Sequence, residues 1–260
     1  MTIGMAIAAH LIGHTRDGAR SLLEHEQASW LWTRLRAGFP DAFSCELMPD
    51  HLHLVTPPGG RARFVRVLAM FTARFGVRFD VIVEIANTAD IAMRMIRYGF
   101  HNPLRDSLVT DPYAWKWSTL RDLVGAAYPV WTHAPRVARA LGVKPEGLLR
   151  RVTQSADLRP RRPELAPIAA VSMCALQDAT AAALRIDCFT EHMLGRQLLV
   201  QAAHAIGMPV TAQLTTAVGR SGRTIRRDRA RRHPALSAVL LCLADARLRH
   251  ARTGGFTRER

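Results

Sequence analysis

The chain has 260 residues, enough for one large core or two small ones, and its composition is that of a water-soluble globular protein. Its 36 Lys+Arg against 21 Asp+Glu give a formal charge of +15, almost all of it arginine, because lysine occurs only at Lys116 and Lys144. Guanidinium forks match phosphate oxygens bidentately, so a polyanion, above all nucleic acid, is the leading partner.

The chain opens MTIGMAIAAH, which lacks the charged start and cleavage site of a signal peptide. Ile3–Ile12 suits a first strand and Glu24–Ala37 an amphipathic helix. Phe43–Met48 and Leu52–Thr56 read as two strands joined by the turn Pro49-Asp50. Gly59-Gly60 is a turn without a P-loop lysine, and helices follow at Arg61–Phe75 and Asp90–Asn102, the second stopped by Pro103. Up to about Tyr128 the pattern is α+β.

Beyond Pro129 strand signals fade. The segment YPVWTHAPRVARALGVKPEGLLRRVTQS (128–155) reads as a connector, with Trp131, Val137 and Leu141 as packing residues, and DLRPRRPELAP (157–167) as a linker. Helices are predicted at Ile168–Leu184, His192–Ala205, Val210–Val218, Gly222–Arg232 and Leu236–Arg249, and residues 251–260 as a disordered tail. The apolar run Ala166–Phe189 is interrupted by Gln177, Asp178, Arg185 and Asp187, which fits a buried helix pair and not a membrane span. Cys45, Cys174, Cys188 and Cys242 form no C-x-x-C pair, so neither a zinc ribbon nor a disulfide framework is indicated, and a reducing cytoplasm fits.

Residues 48–55, MPDHLHLV, carry two histidines in strand phase. His51, His53 and Val55 face one side while Leu52 and Leu54 face the other, placing the imidazoles roughly 6–7 Å apart along the strand. Both can then reach one divalent cation. Alone, an H-x-H pair is more often a packing or surface pair than a metal site, and two histidines are too few ligands. In the helix MRMIRYGFHNP (93–103), Ile91, Met95, Tyr98 and Asn102 share a face. If that face covers the histidine strand, the phenol and the carboxamide meet the cation; otherwise Tyr98 is a half-buried core aromatic and Asn102 simply ends the helix.

MPDHLHLV resembles the MPNHxHxx signature of the REP-associated tyrosine transposases, members of the HUH single-tyrosine nucleases. RYGFHNPLRDSLVTDPYAWKWSTLRDLVG (97–125) is similar to that family's second block, approximately RYIHxNPVRAGLVxxPxxYxWSSYRxYxG. The resemblance implies a ferredoxin-like nuclease domain with a central antiparallel sheet over 1–128, a connector over 129–165 and an all-α domain over 166–250. It implies Mg²⁺ or Mn²⁺ held by His51, His53 and Asn102, with Tyr98 as the nucleophile that forms a 5′-phosphotyrosine with single-stranded or hairpin DNA. Two departures stand out. Gly99 costs up to ~1 kcal/mol of helix propensity directly after the nucleophile. The family's segment GxLWQxRY is replaced by GVRFDVIVEIANTAD (76–90).

Residues 194–232 have the layout of a helix-turn-helix, with Arg220, Arg223, Arg226, Arg227, Arg229, Arg231 and Arg232 opposed only by Asp228. The segment also resembles the DNA-binding end of the bacterial replication initiator, which implies duplex contacts and a nucleoid-associated protein. Two rival functions remain: a domesticated, non-cutting DNA-binding protein, and a histidine-triad hydrolase, which Val55 disfavours by standing where a third histidine is needed.

Overall fold

The computed structural model describes residues 5–16, 18, 22, 24–153, 171–186, 193–228 and 232–249. Two compact units interleave along the chain. The first comprises Met1–Pro112, Trp117–Leu123 and Trp131–Arg159, the second Tyr113–Lys116, Val124–Val130 and Pro160–Arg260.

The first unit is α+β. Strand β1 (Ala8–Thr15), helix α1 (His25–Gly38), strands β2 (Ser44–Leu47) and β3 (His51–Thr56), helix α2 (Arg61–Phe75), strand β4 (Phe79–Ala86) and helix α3 (Ala89–Arg105) follow in order. The strands form one antiparallel sheet of order β2-β3-β1-β4. A βαββαβ succession with that order is the ferredoxin-like arrangement. One face is apolar because every second residue is: Ala9 and Leu11, Cys45 and Leu47, Leu52 and Leu54 pack on Leu31, Trp32 and Leu35 of α1 and on Phe64, Leu68 and Phe71 of α2. The alternate residues face the other way, where α3 crosses the sheet.

Three sequence expectations need correction. The first strand lies at Ala8–Thr15 and not Ile3–Ile12, so it takes in His14 as well as His10. The strand Phe79–Ala86 was not expected. Its period-2 alternation is plain, but Asp80 and Glu84 interrupt the apolar run. Helix α3 passes through Pro103 to Arg105. The proline sits in the last turn, where it forfeits one hydrogen bond, and the Asp106 amide still donates to the Asn102 carbonyl at 2.9 Å.

Helices α4 (Leu120–Leu123), α5 (Ala134–Ala140) and α6 (Pro145–Thr153) complete this unit. Trp131, Val137 and Leu141 are buried, as expected of packing residues. The Trp131 indole donates to the Phe39 carbonyl at 2.8 Å and stands edge-on to Trp32 at 5.0 Å.

The regular elements of the second unit's 160–260 stretch are helices among its described residues: α7 (Met173–Leu184), α8 (Met193–Ala205), α9 (Ala212–Val218), α10 (Gly222–Asp228), α11 (Leu236–Ala244) and α12 (Ala246–Arg249). The expected helix Leu236–Arg249 is broken at Asp245, and Arg232 lies outside α10. Among the described residues no helix is long and apolar enough to cross a membrane. The expected linker at 157–167 and tail at 251–260 lie outside the described residues.

Candidate functional site

The sheet face beneath α3 carries an unusual concentration of imidazoles. On β3, His51 and His53 point to this face, and the cross-strand register places them opposite His14 and Ile12 of β1. On β1, His10 and His14 lie opposite Glu84 and Asp80 of β4. On β2, Glu46 lies opposite His53. Helix α3 closes the face, and an open cavity of about 1080 Å³ between them is lined by all four histidines, Glu84, Ile91, Arg94, Met95, Tyr98 and Asn102 among others.

The structure therefore brings His51, His53, Tyr98 and Asn102 together. The Asn102 Nδ2 lies 2.6 Å from His53 Nε2 and 3.4 Å from His51 Nε2. Tyr98 is 44% exposed at the mouth, its ring edge-on to His53 with centroids 5.5 Å apart. The Arg105 guanidinium stands 5.0 Å from the Tyr98 ring centre. The expected face Ile91, Met95, Tyr98 and Asn102 is the face turned to the cavity.

Donor chemistry fits a divalent cation. In an octahedral site with metal–ligand distances near 2.1 Å, neighbouring ligand atoms stand roughly 3 Å apart. The 2.6 and 3.4 Å separations bracket that spacing, and an amide half-turn would exchange Nδ2 for Oδ1, the atom able to ligate. Among the described residues no group of three or more His, Cys, Asp or Glu is placed to hold a metal, so a third protein ligand here would be the amide of Asn102.

Burial governs the protonation of the face. Burial first, then the imidazoles of His10, His51 and His14, push the His53 pKa down to about 2. Burial also lowers His10, partly offset by its hydrogen bond to Glu84, and lowers His14. For Asp50, burial pulls upward, but the hydrogen bond to His51 at 2.7 Å and the electrostatic interaction with that ring hold the carboxyl below its usual range.

Glu46 was not anticipated. It is fully buried, accepts from the Ser118 hydroxyl at 3.2 Å, and burial raises its pKa well above the usual carboxylate range. Its Oε2 lies against the backbone of α3, where a Cβ built on Gly99 would stand 2.3 Å away. The glycine beside Tyr98 is thus a packing requirement: α3 comes this close to the sheet only because residue 99 has no side chain. His14 was missed because the first strand was ended too early and Glu84 because β4 was not expected, while His10, inside the expected first strand, gains its partners only from the strand order. Their signal was the polar phase of two alternating segments.

Of the arginines expected to meet DNA, Arg223, Arg226, Arg227 and Arg232 are exposed. Arg220 is paired with Asp228 at 2.8 Å and is half-buried. Arg229 and Arg231 lie outside the described residues. In α9 the Thr211 hydroxyl accepts from the Leu214 amide at 3.3 Å, and Gly219 ends the helix in the left-handed region. The buried Gln201 of α8 donates to the Asp228 carbonyl and accepts from the His233 amide, tying the flanks of the arginine segment to α8.

No protein-family model matches the chain, and no curated protein matches it. Among solved structures, a REP-associated tyrosine transposase bound to a REP hairpin is similar to this chain with a TM-score of 0.37 and 20% identity, over 50% of this chain and 88% of that one.

Proposed function

We propose that this protein is a metal-dependent single-stranded DNA endonuclease and strand transferase of the tyrosine-transposase type. The observation that carries the reading is the convergence of His51 Nε2, His53 Nε2 and the Asn102 amide in one open cavity, one helical turn from an accessible Tyr98. The two sequence blocks that resemble the transposase family contribute these four residues.

His51, His53 and Asn102 would hold Mg²⁺ or Mn²⁺, which when bound withdraws charge from a non-bridging phosphate oxygen. Arg94, Arg97 and Arg105 of α3 line the same cavity and supply positive charge for the strand. The Tyr98 oxygen, its proton lost to solvent, attacks phosphorus in line. The bond to the 3′ oxygen breaks, leaving a 5′-phosphotyrosyl protein and a 3′-hydroxyl that takes up a proton. The phosphodiester energy is retained, so attack by a 3′-hydroxyl on the phosphotyrosine rejoins DNA without ATP. The arginines of α10 and the segment after it are proposed to add duplex affinity from the second unit.

The test is incubation with labelled single-stranded hairpins and Mn²⁺. The parent should form a covalent adduct mapping to Tyr98, and Tyr98→Phe, which loses one oxygen, should form none while binding DNA as before. An adduct at Tyr113 or Tyr128, or one that survives in Tyr98→Phe, overturns the assignment. Tight DNA binding without any adduct in the parent would instead support the non-cutting reading.

A further inference from the structure

We propose that Glu84 and His10 act as a positioning relay that locks His53 in one tautomer, with hydrogen on Nδ1 and the bare Nε2 turned to Asn102. The relay runs across the sheet from strand to strand. Glu84 Oε2 on β4 lies 2.9 Å from His10 Nδ1 on β1, and His10 Nε2 lies 3.0 Å from His53 Nδ1 on β3. His53 Nε2 then meets the Asn102 amide of α3 at 2.6 Å.

Donor and acceptor counting sets the direction. Glu84 is half-exposed, and an ionised carboxylate only accepts, so His10 donates from Nδ1. A neutral imidazole has one N–H, so His10 Nε2 is bare and accepts from His53 Nδ1. His53 Nε2 is bare in turn, which agrees with an Asn102 amide donating to it. A second chain reaches the same end independently. Asp50 Oδ1 lies 2.7 Å from His51 Nδ1, so His51 donates there and its Nε2 is also bare, 3.4 Å from the same Asn102 nitrogen. Two carboxylates, one on β4 and one in the turn before β3, thus aim two lone pairs at one point. A metal-ligating imidazole needs that tautomer, and a buried one cannot be relied on to find it unaided. In water the ring exchanges tautomers freely; here His10 and His53, exposed by 2% and 3%, are oriented by internal partners alone.

The inference rests on the proposed metal site for its purpose, but its test does not. Long-range proton–nitrogen correlation spectra of the full-length, metal-free protein report which imidazole nitrogen carries hydrogen. In the parent, His53 should carry it on Nδ1. His10→Leu removes the acceptor and should give a mixture containing the Nε2–H form, with Mn²⁺ affinity lowered about 10- to 100-fold. Glu84→Ala, at a half-exposed position on the edge strand, frees His10 to invert and should shift His53 in the same direction. Glu84→Gln, whose carboxamide oxygen can still accept from His10, should restore the parental tautomer. Finding His53 protonated on Nε2 in the parent, or unchanged in both His10→Leu and Glu84→Ala, overturns the relay. If the tautomer responds as described while the parent binds no Mn²⁺, the relay stands and the metal-dependent function falls.

Discussion

Replacing Gly99 with alanine sets two effects against each other. In an unobstructed helix, alanine gains about 1 kcal/mol over glycine. Here the new Cβ would stand 2.3 Å from Glu46 Oε2 and 3.2 Å from its Cδ, closer than non-bonded atoms allow. Glu46 is fully buried, so its carboxyl has no solvent to retreat into. Overpacking of this kind costs about 1–3 kcal/mol. Losing the Ser118 hydrogen bond adds about 1 kcal/mol, and subtracting the helix gain leaves Gly99→Ala destabilising by about 1–3 kcal/mol. In a Glu46→Ala background the obstruction is gone and the same change should stabilise by about 1 kcal/mol. The coupling is therefore about 2–4 kcal/mol, at the upper end for residues in contact. Urea midpoints of the four proteins at constant slope measure it. If Gly99→Ala stabilises the parent, or acts equally in both backgrounds, the close approach of α3 to the sheet is wrong.

His51→Ala combined with His53→Ala should abolish Mn²⁺ binding in calorimetry and all metal-dependent cleavage; parental cleavage by that variant would remove the metal site. Glu46→Gln tests buried-acid linkage. Because the folded carboxyl is raised above the unfolded one, the fold keeps a proton that the unfolded chain releases above about pH 4.5, so this group's contribution falls as pH rises. Within that window the parent should lose up to about 1.4 kcal/mol per pH unit relative to Glu46→Gln, and an equal difference in urea midpoint at pH 5 and pH 8 would contradict it. Replacing Arg223, Arg226 and Arg227 together with glutamine should flatten the log–log salt dependence of duplex binding by ~0.9 for each phosphate no longer neutralised; an unchanged slope would take α10 out of the interface.

Much of this site was legible because its chemistry rests on short-range periodicity. H-x-H in strand phase puts two imidazoles on one face, and Tyr98 and Asn102 four residues apart share a helix face. What escaped was long-range. His10 acquires its meaning only when β1 lies between β3 and β4, an order that no local pattern encodes. Gly99 shows the limit most sharply. Read locally it weakens a helix, whereas across the sheet it is what lets the helix approach Glu46. Helix α3 runs past Pro103 to Arg105 while packing on the sheet face and on α6, contacts that no local pattern encodes.

In the proposed function the site separates ligation from charge. Four imidazoles crowded on one face would repel one another if protonated, and burial prevents this for His53 down to about pH 2. Neutral rings are acceptors, which is what cation ligation requires, but they attract no phosphate. In the proposed function that attraction falls to the α3 guanidiniums of Arg94, Arg97 and Arg105, which line the same cavity. In the proposed function, with ligand and anion-binding roles on different chemistries, His53 would stay competent to ligate over the range in which the arginines would hold DNA. A histidine in place of those arginines, or an exposed imidazole in place of His53, would let one role titrate away while the other persisted. The sheet provides this division through its pleat: the residues that alternate with the apolar core are the ones that carry the imidazoles, and α3 lays its cationic, tyrosine-bearing side over them.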